Sequence, residues 1–303
     1  MTESSYVDPT SPKAIIGIVT VTYNSAQVLP EFFLSLEKQT FTDFHVWAVD
    51  NASKDSSVTQ FESWEYGHSE VICSATNVGV AAGNNLGIKA ALAAGCDYVL
   101  LMNNDVVFGP DLLQGLLDGL AERHCDMVVP LTFYADPPNM IWFAGGVFRT
   151  DFGNLPTHVG FREIDCGNYR TATQIEYAPT CCTLIRREVF DKIGLMDERY
   201  FVYLDDTDFM FRAWRAGLVT YYLPDVLLWH KVSSLAGEDT PFSQRYLMRN
   251  RAFFIKKYSG RWSCLKLTLM HRLWLIGLLI RAKDDWKTFV RKQSAWSEGL
   301  RLQ

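Results

Sequence analysis

The chain has 303 residues, 48% of them hydrophobic, and a formal net charge of −5 at pH 7. It is long enough to bury a full core and predicts one domain with an extension. The charge is unevenly distributed, since residues 255–303 carry 11 Lys and Arg against 3 Asp and Glu. That segment has a charge of +8, which leaves −13 for the first 254 residues, so the two ends of the chain have different surroundings.

Cysteine usage and hydropathy exclude several classes of protein. The seven cysteines form no CxxC pair and no zinc spacing, and their odd number predicts a reduced, cytosolic compartment. Residues 1–13 are polar and contain Asp8, Pro9 and Pro12, so we expect a flexible N-terminus rather than a signal peptide or an anchor. The apolar run Leu273–Ile280 is far shorter than the ~20 residues that span a bilayer, and we expect at most a peripheral contact with the inner face of the cell membrane.

Apolar strands alternate with amphipathic helices through the first half of the chain. Ala14–Thr22 is nearly all β-branched or apolar, which is typical of a strand buried on both faces. The same patterns predict strands over His45–Val49, Val71–Cys73 and Tyr98–Met102, and helices over Gln27–Gln39, Asn84–Ala94 and the segment from Pro110 to Arg123. Such alternation favours a parallel sheet with helices on both faces.

The second half is less regular. Residues 132–174 are rich in Gly, Pro, Asn and aromatic side chains, and Gly145–Phe148 and Gly160–Glu163 predict short antiparallel pieces or a loop over a site. Strands are predicted over Met127–Pro130, Tyr177–Ile185, Val219–Leu223 (stopped by Pro224) and Val226–Trp229, and helices over Arg187–Ile193 and Asp208–Ala216.

Two acidic clusters are candidates for chemistry. Asp105 closes an apolar strand, so its carboxylate should emerge at a sheet edge, where open α/β folds bind ligands. Asp205, Asp206 and Asp208 are crowded, and acids held close together either share a cation or split their pKa values. His230 ends another strand; it is either a satisfied interior histidine or the imidazole that completes a metal shell.

Two loops are candidates for nucleotide contacts. Asp50 ends a strand, and its carboxylate either caps a turn or accepts the imide N–H of uracil or thymine. The glycine-rich loop at residues 77–87 precedes a helix, so its backbone can approach a diphosphate or sugar, although packing is the commoner cause of such glycines. It lacks both the Walker lysine and the dinucleotide spacing.

Together these residues resemble the inverting family-2 glycosyltransferases of the GT-A fold, particularly the bacterial rhamnosyltransferase-like members. The likeness runs from about Ile15 to Tyr258. In the family's order and spacing, its motifs are Thr20–Asn24, Val49–Asp55, Asn77–Gly79 with Gly83 and Asn84, the DxD-like Asn103–Asp105, Asp205-Asp206-x-Asp208 with Arg212, Pro224 and His230, and Arg249–Arg251. Asn103 replaces the first Asp of DxD, and Asp205 replaces the usual Glu of the acidic pair.

The resemblance implies the architecture. We expect an α/β GT-A fold, with a Rossmann-like, mixed but mostly parallel sheet, helices on both faces and a C-terminal helical extension. The flexible N-terminus covers residues 1–13, and the catalytic domain covers residues 14–235, with a nucleotide-sugar half (14–110) and an acceptor half (111–235). Residues 236–303 form the basic amphipathic C-terminal region.

The resemblance also implies roles for individual residues. Asp206 is the expected general base, and Asp205 and Asp208 are expected to orient Arg212 and neighbouring groups. Mg²⁺ or Mn²⁺ is the expected cofactor, bound by Asp105 and His230. The remaining expected nucleotide-sugar contacts are Thr22, Tyr23, Asn24, Asp50, Asn51, Ser53, Asn77, Gly79, Gly83, Asn84, Asn103 and Asn104.

The implied enzyme is a hexosyltransferase of bacterial cell-surface polysaccharide synthesis. Its expected donor is dTDP-L-rhamnose, with UDP-hexoses as the alternative, and its acceptor is a hydroxyl of a glycan or lipid-linked glycan. Two other classes remain open: a nucleotidyltransferase, although Tyr23–Gln27 offers no basic phosphate-gripping motif, and a non-catalytic glycan-binding module. The C-terminal region interleaves Trp and Leu with Lys and Arg, which predicts either contact with an anionic membrane or packing on the catalytic domain. No nucleic-acid partner is expected, and the sequence does not determine the oligomeric state.

Overall fold

The computed structural model describes residues 15–65, 68–231 and 240–303. The predicted flexible segment 1–13 lies outside these residues. Within them, the first half follows the predicted alternation of strands and helices. Its strands are β1 (Ile16–Thr22), β2 (Phe44–Asp50), β3 (His68–Cys73), β4 (Tyr98–Met102) and β5 (Val106–Phe108), and its helices are α1 (Leu29–Glu37), α2 (Ser57–Glu62), α3 (Gly79–Ala93) and α4 (Leu112–Glu122).

The second half contributes most of the antiparallel pieces and the C-terminal helices. Its strands are β6 (Met127–Tyr134), β7 (Ile141–Phe143), β8 (Gly146–Arg149), β9 (Leu155–His158), β10 (Thr173–Ile175), β11 (Cys182–Arg186) and β12 (Thr220–His230). Its helices are α5 (Arg187–Ile193), α6 (Asp205–Arg215), α7 (Pro241–Tyr258), α8 (Arg261–Ile280) and α9 (Trp286–Arg301).

The central sheet has the order β10-β12-β6-β11-β4-β1-β2-β3, with β5 paired to β12 and β7 to β6. Strands β3, β2, β1 and β4 are parallel, β11 runs antiparallel between β4 and β6, and β12 is parallel to β6. The fold expected from the resemblance is therefore confirmed. The carboxyl ends of β1, β2 and β4 meet at one edge, and the antiparallel β5 brings the end of β12 to the same place.

The prediction that helix α3 starts at Asn84 is wrong, because the helix begins at Gly79. Gly79 has a φ of +86°, and the Asn77 side chain accepts a hydrogen bond from its N–H at 2.9 Å. Gly83 and Gly87 therefore lie inside a helix rather than in a loop. A Cβ at either position would collide with Val21 or Val19 of β1, so these glycines serve close helix–sheet packing.

A second boundary prediction is also wrong. Pro224 does not stop the strand, because β12 continues through it to His230 with a shift in register between Leu223 and Leu227. A bulge tolerates a proline, because a residue at a bulge is not paired by a backbone hydrogen bond with the neighbouring strand. Of the two alternatives for Gly160–Glu163, an antiparallel piece or a loop, the structure shows a turn, and the strand that pairs with β8 is β9.

The C-terminal helices form a compact unit on the α/β core. Helices α7 and α9 run parallel, since Arg249 contacts Glu298 and Lys256 donates to the Leu302 carbonyl. The Phe253 and Phe254 rings of α7 are buried in the main core. The buried Trp296 of α9 packs against α7 and α8.

The prediction that the C-terminal apolar segment is far too short to span a bilayer is wrong in its length, because the segment belongs to the longer helix α8. The eight-residue run Leu273–Ile280 is continuous with a helix of 20 residues, Arg261–Ile280, with a mean hydropathy of 1.4. By length and composition this helix is apolar enough to cross a membrane, and it is the one such helix within residues 15–65, 68–231 and 240–303. A single helix of this kind is weak evidence for a membrane span.

Substitution of two helix glycines by alanine tests the contact between α7 and α9. A Cβ at Gly299 would collide with the Arg249 carbonyl oxygen, whereas one at Gly277 meets no described atom within 4 Å. We expect Gly299→Ala to lower the free energy of unfolding by about 1–3 kcal/mol through overpacking. Gly277→Ala should raise it by about 0.5–1 kcal/mol, because alanine favours the helix. Denaturant unfolding measures both, and equal effects would contradict the predicted contact.

Candidate active site

The carboxyl ends of β1 and β2 form a buried polar pocket. Thr22 Oγ1, Asp50 Oδ1 and Asn51 Oδ1 are each buried without a hydrogen-bond partner among the residues that the structure describes. Buried polar atoms are usually paired, and a set without partners at a sheet edge indicates a place for a ligand. The expected contacts Thr22, Asp50 and Asn51 thus lie together.

Asp50 performs the turn-capping role considered for it and keeps one oxygen free for the other role. Its Oδ2 accepts a hydrogen bond from the Ser53 backbone N–H at 3.0 Å, which is the turn-capping role. Its Oδ1, in a side chain only 3% exposed, has no described partner. The cap fixes the carboxylate so that the second oxygen faces the pocket with an open acceptor position.

Other predicted donor residues shape the pocket walls. The Asn24 backbone N–H donates to Ser53 Oγ at 2.8 Å, and the Asn24 side chain accepts from Lys54 N at 2.8 Å, so the two strand-end loops hold each other. Tyr23 is exposed beside them. Asn84 is directed away from the pocket, since its amide lies 3.6 Å from the Met196 sulfur.

Asp105 and His230 are adjacent at the same edge of the sheet. His230 Nε2 lies 3.1 Å from Asp105 Oδ1 and 3.4 Å from the Asn103 amide, while Asn104 donates to the Val21 carbonyl at 3.1 Å. The pairing of β5 with β12 places Val106 opposite His230 and so sets this distance. The two residues were 125 positions apart in the sequence, and the structure brings them together as predicted.

A carboxylate oxygen and an imidazole nitrogen suit a divalent cation such as Mn²⁺, which accepts both donor types. Across the described ranges, 15–65, 68–231 and 240–303, no group of three or more His, Cys, Asp or Glu side chains is placed to hold a metal. Asp105 and His230 would therefore supply two ligands of such a cation, and its remaining ligands would have to come from other groups.

The acidic cluster lies at the start of helix α6. The helix begins at Asp205, three residues earlier than predicted, so Asp205, Asp206 and Asp208 all lie in its first turn. Carboxylates are favoured there by the partial positive charge of a helix N-terminus. Burial, and secondarily the charge of Asp206, raises the pKa of Asp205 to about 8, so Asp205 is protonated at neutral pH.

Asp206 differs from its neighbours because it retains partial solvent access. Burial raises its pKa, but hydrogen bonds from Tyr177 and Thr207 favour the charged form. The Tyr177 hydroxyl donates to Oδ2 at 2.9 Å, and the Thr207 N–H donates to Oδ1 at 2.6 Å. These two hydrogen bonds favour the charged form of Asp206, whereas burial and the neighbouring charge of Asp206 favour the neutral form of Asp205.

Asp208 holds structure together. It is fully buried, and its carboxylate lies 2.9 Å from Arg212 Nε and 2.5 Å from Lys257 Nζ. The hydroxyls of Tyr200 and Tyr258 donate to the same carboxylate at 3.1 and 2.7 Å. The expected contact between Asp208 and Arg212 is present, and the network also ties α6 to α7.

The segment before Asp205 has an uncommon backbone. Phe201, Tyr203 and Leu204 have φ values of 65°, 65° and 61°, in the left-handed region that side chains disfavour. The Asn250 amide of α7 lies 2.7–2.8 Å from the carbonyl oxygens of Tyr200, Val202 and Tyr203. Asn250, part of the motif Arg249–Arg251, thus acts as a clamp on the segment that delivers Asp206.

An aromatic cluster that the sequence did not single out connects the two acidic sites. Trp142 packs edge-on against both His230 and His158, with ring centroids 4.8 and 5.3 Å apart, and His158 stacks on Tyr177 at 5.6 Å. Cys181 lies between the sites, since the charges of both Asp105 and Asp206 act on its buried thiol. The only signal in the sequence was the aromatic richness of residues 132–174, interpreted as a loop over a site.

The site combines a buried polar pocket, a carboxylate–imidazole pair and an acid, Asp206, that is partly accessible to solvent. This arrangement has a counterpart in a known family. The model of the family described as "Glycosyl transferase family 2" matches residues 17–194, more than half of the chain. The chain belongs to this family. It is therefore a glycosyltransferase, as the resemblance predicted, rather than a nucleotidyltransferase or a non-catalytic module.

Among similar proteins, the N-acetylglucosaminyl-diphospho-decaprenol L-rhamnosyltransferase of Mycobacterium tuberculosis is 26% identical over 270 residues, which are 82% of this chain and 86% of that protein. The dTDP-rhamnosyl transferase RfbF of Shigella flexneri is 22% identical over 252 residues, 80% of each chain. The expected likeness to rhamnosyltransferases is confirmed at these modest identities.

Two solved structures share the fold over most of the chain. S. aureus TarS 1–349 in complex with UDP-GlcNAc has a TM-score of 0.58 at 19% identity and covers 94% of this chain and 79% of that one. The mannosyltransferase PcManGT from Pyrobaculum calidifontis, in complex with GDP-Man and Mn²⁺, has a TM-score of 0.57 at 14% identity and covers 96% of this chain and 87% of that one.

Removal of the Tyr177 hydroxyl tests its control of Asp206. A hydrogen bond to a charged group is worth about 1.5–3 kcal/mol, and its loss should raise the pKa of Asp206. In Tyr177→Phe we expect the acidic limb of the kcat–pH profile to move up by roughly one to two pH units. Tyr169→Phe removes a surface hydrogen bond to Glu163 (2.7 Å) and should leave the profile in place. An unshifted limb in Tyr177→Phe would exclude this role.

Proposed function

We propose that this glycosyltransferase transfers L-rhamnose from dTDP-L-rhamnose to a hydroxyl of a lipid-linked glycan, with inversion at the anomeric carbon. The observation that carries the proposal is the meeting of the Asp105–His230 pair and the base Asp206 around the ring of Trp142 and its neighbours. The names of the mycobacterial and Shigella relatives support rhamnose as the sugar and a polyprenyl diphosphate sugar as the acceptor class.

The donor's base is recognised by Asp50. Thymine and uracil present one imide N–H between two carbonyl groups, and the open Oδ1 of Asp50 is a buried acceptor for such a donor. A fixed carboxylate in a buried position strengthens this hydrogen bond, because the surrounding dielectric is low. Asp50 therefore selects pyrimidine nucleotides that carry the imide.

The diphosphate is placed against Asp105 and His230, which would hold Mg²⁺ or Mn²⁺. When bound, the cation neutralises negative charge on the departing nucleoside diphosphate. The 3.1 Å separation holds His230 Nε2 and Asp105 Oδ1 side by side, and His230 Nε2 must be unprotonated to bind a cation. The Asn103 amide, beside His230, is placed to donate a hydrogen bond to a phosphate oxygen.

Asp206 accepts the proton of the acceptor hydroxyl as that oxygen attacks the anomeric carbon. The bond from the sugar to the diphosphate breaks on the opposite face, with oxocarbenium character at the carbon. Asp205 remains protonated at neutral pH and so does not compete for this proton. Tyr177 and Thr207 fix the carboxylate of Asp206 while it changes charge.

A UDP-hexose is the second candidate donor. Asp50 offers the same hydrogen bond to uracil and thymine, and TarS, which shares the fold, was solved with UDP-GlcNAc. A panel of dTDP- and UDP-sugars, scored by release of the nucleoside diphosphate with a polyprenyl diphosphate N-acetylglucosamine acceptor, distinguishes the candidates. Turnover of dTDP-rhamnose well above every UDP-sugar supports the proposal, and the reverse order selects the alternative.

Replacement of two adjacent acids by amides separates the base from its neighbour. We expect Asp206→Asn to lower kcat by roughly 10²-fold or more while the donor KM changes only a few-fold, because only proton acceptance is lost. Asp205→Asn, the matched control, resembles the protonated acid that is already present, so its activity at pH 7 should stay within a few-fold of wild type. Similar losses in the two variants would remove Asp206 from this role.

Metal removal tests Asp105 and His230. We expect a chelator to abolish transfer and Mg²⁺ or Mn²⁺ to restore it, because the diphosphate otherwise departs without charge neutralisation. Calorimetry should show that Asp105→Ala weakens binding of dTDP far more than binding of thymidine, which carries no phosphate. Asp118→Ala, on α4, changes the same residue type at an exposed site and should leave both affinities unchanged. Full activity in chelator would contradict the cation site.

A further inference from the structure

Helix α8 exposes an uninterrupted apolar stripe. Trp262, Leu269, Leu273, Ile276 and Ile280 follow one another at intervals of three, four or seven residues, which places them on one face of the helix. Trp262 is 80% exposed, Ile280 79%, Leu273 59% and Leu269 58%. An apolar surface of this length is uncommon on a soluble protein and indicates a binding surface. We call these five residues the outer stripe.

The opposite face of α8 is occupied by the protein itself. Thr268, His271 and Leu275 are buried, and the His271 ring stacks on Trp296 with centroids 3.7 Å apart. The Trp296 indole N–H donates to Thr268 Oγ1 at 3.4 Å. The helix therefore buries Thr268, His271 and Leu275 and leaves its apolar stripe outside, so the exposure of the outer stripe is set by tertiary packing.

Basic side chains flank the outer stripe. Arg261, Lys266 and Arg272 of α8 are all exposed, and this helix contains no Asp or Glu. Arg281, Lys283 and Lys287 extend the exposed positive charge beyond its end. Two acids follow the helix: Asp284 is bound to Lys292 at 2.8 Å, and the exposed Asp285 accepts a hydrogen bond from the Thr288 N–H at 2.7 Å.

We propose that the outer stripe of α8 docks on an anionic lipid bilayer, with the helix lying in the plane of the interface. Two interactions hold such helices at a membrane. Apolar side chains enter the acyl boundary, and basic side chains contact lipid phosphates. A second copy of the chain fits less well, because pairing through the stripe would bring like charges together.

The helix lies on the membrane rather than across it. A spanning orientation would take Thr268 and His271 away from Trp296 and expose them to hydrocarbon. Helices α7 and α9 also pack on each other in parallel, so α8 must run back alongside them. Docking in this way holds the catalytic domain at the membrane surface. It also brings the enzyme to its lipid-linked acceptor, and this part of the inference rests on the proposed function.

Vesicle sedimentation of the full chain tests the docking surface. Wild type should pellet with vesicles of phosphatidylcholine and phosphatidylglycerol, much less with phosphatidylcholine alone, and should be released by high salt or alkaline carbonate. Leu273→Ser and Lys266→Glu should each lower the partition coefficient, the former roughly tenfold. Leu34→Ser, a leucine 50% exposed on α1, is the matched control and should bind as wild type does.

Several results would overturn the proposal. Equal binding by Leu273→Ser and Leu34→Ser excludes the outer stripe, and retention in alkaline carbonate indicates a spanning helix. If the wild type does not bind vesicles but forms dimers that Leu273→Ser dissociates, the stripe binds a second copy of the chain instead. Release of nucleoside diphosphate from dTDP-rhamnose, measured without vesicles on the same preparations, keeps the proposed function separate. If the wild type binds vesicles but releases no nucleoside diphosphate, the proposed function is contradicted and the docking proposal is not.

Discussion

The position of Asp206 depends on a short stretch of left-handed backbone. Phe201, Tyr203 and Leu204 each adopt a conformation that costs about 1–2 kcal/mol for a residue with a side chain. The Asn250 amide offsets this cost through hydrogen bonds to the carbonyl oxygens of the segment. The carboxylate that we propose as the general base is therefore held in place by α7, a helix nearly fifty residues later in the chain.

Asp208 makes the same connection through charge. A fully buried carboxylate is unfavourable unless it is paired, and Asp208 receives Arg212, Lys257 and two tyrosine hydroxyls. Removal of any one partner would leave this buried carboxylate with one hydrogen bond fewer. The helices at the C-terminus are in this sense part of the active site's support, which explains why the resemblance to the family extended to Tyr258.

The donor side is linked to this support through helix α3. Val80 N–H donates to the Phe201 carbonyl at 2.5 Å, and a side chain at Gly79 would collide with that oxygen. Asn51 donates to the Gly79 carbonyl at 3.0 Å. The strand end that carries Asp50 and the segment that carries Asp206 are thus joined by a few hydrogen bonds. These bonds connect the proposed donor pocket with the proposed base.

The sequence by itself determined the strands β1, β2 and β4, whose β-branched runs are buried on both faces, and the family motifs located Asp50, Asp105, Asp206 and His230. Tertiary structure alone decided the rest, because the deciding contacts are distant in the chain. Trp142, His158 and Tyr177 acquire a role only when β7, β9 and the approach to β11 converge on His230 and Asp206. The glycines of α3 turned out to be packing residues, and the outer stripe of α8 is exposed because Trp296 occupies the other face. The local sequence pattern indicates which side chains prefer burial, whereas the tertiary fold determines which residues they pack against.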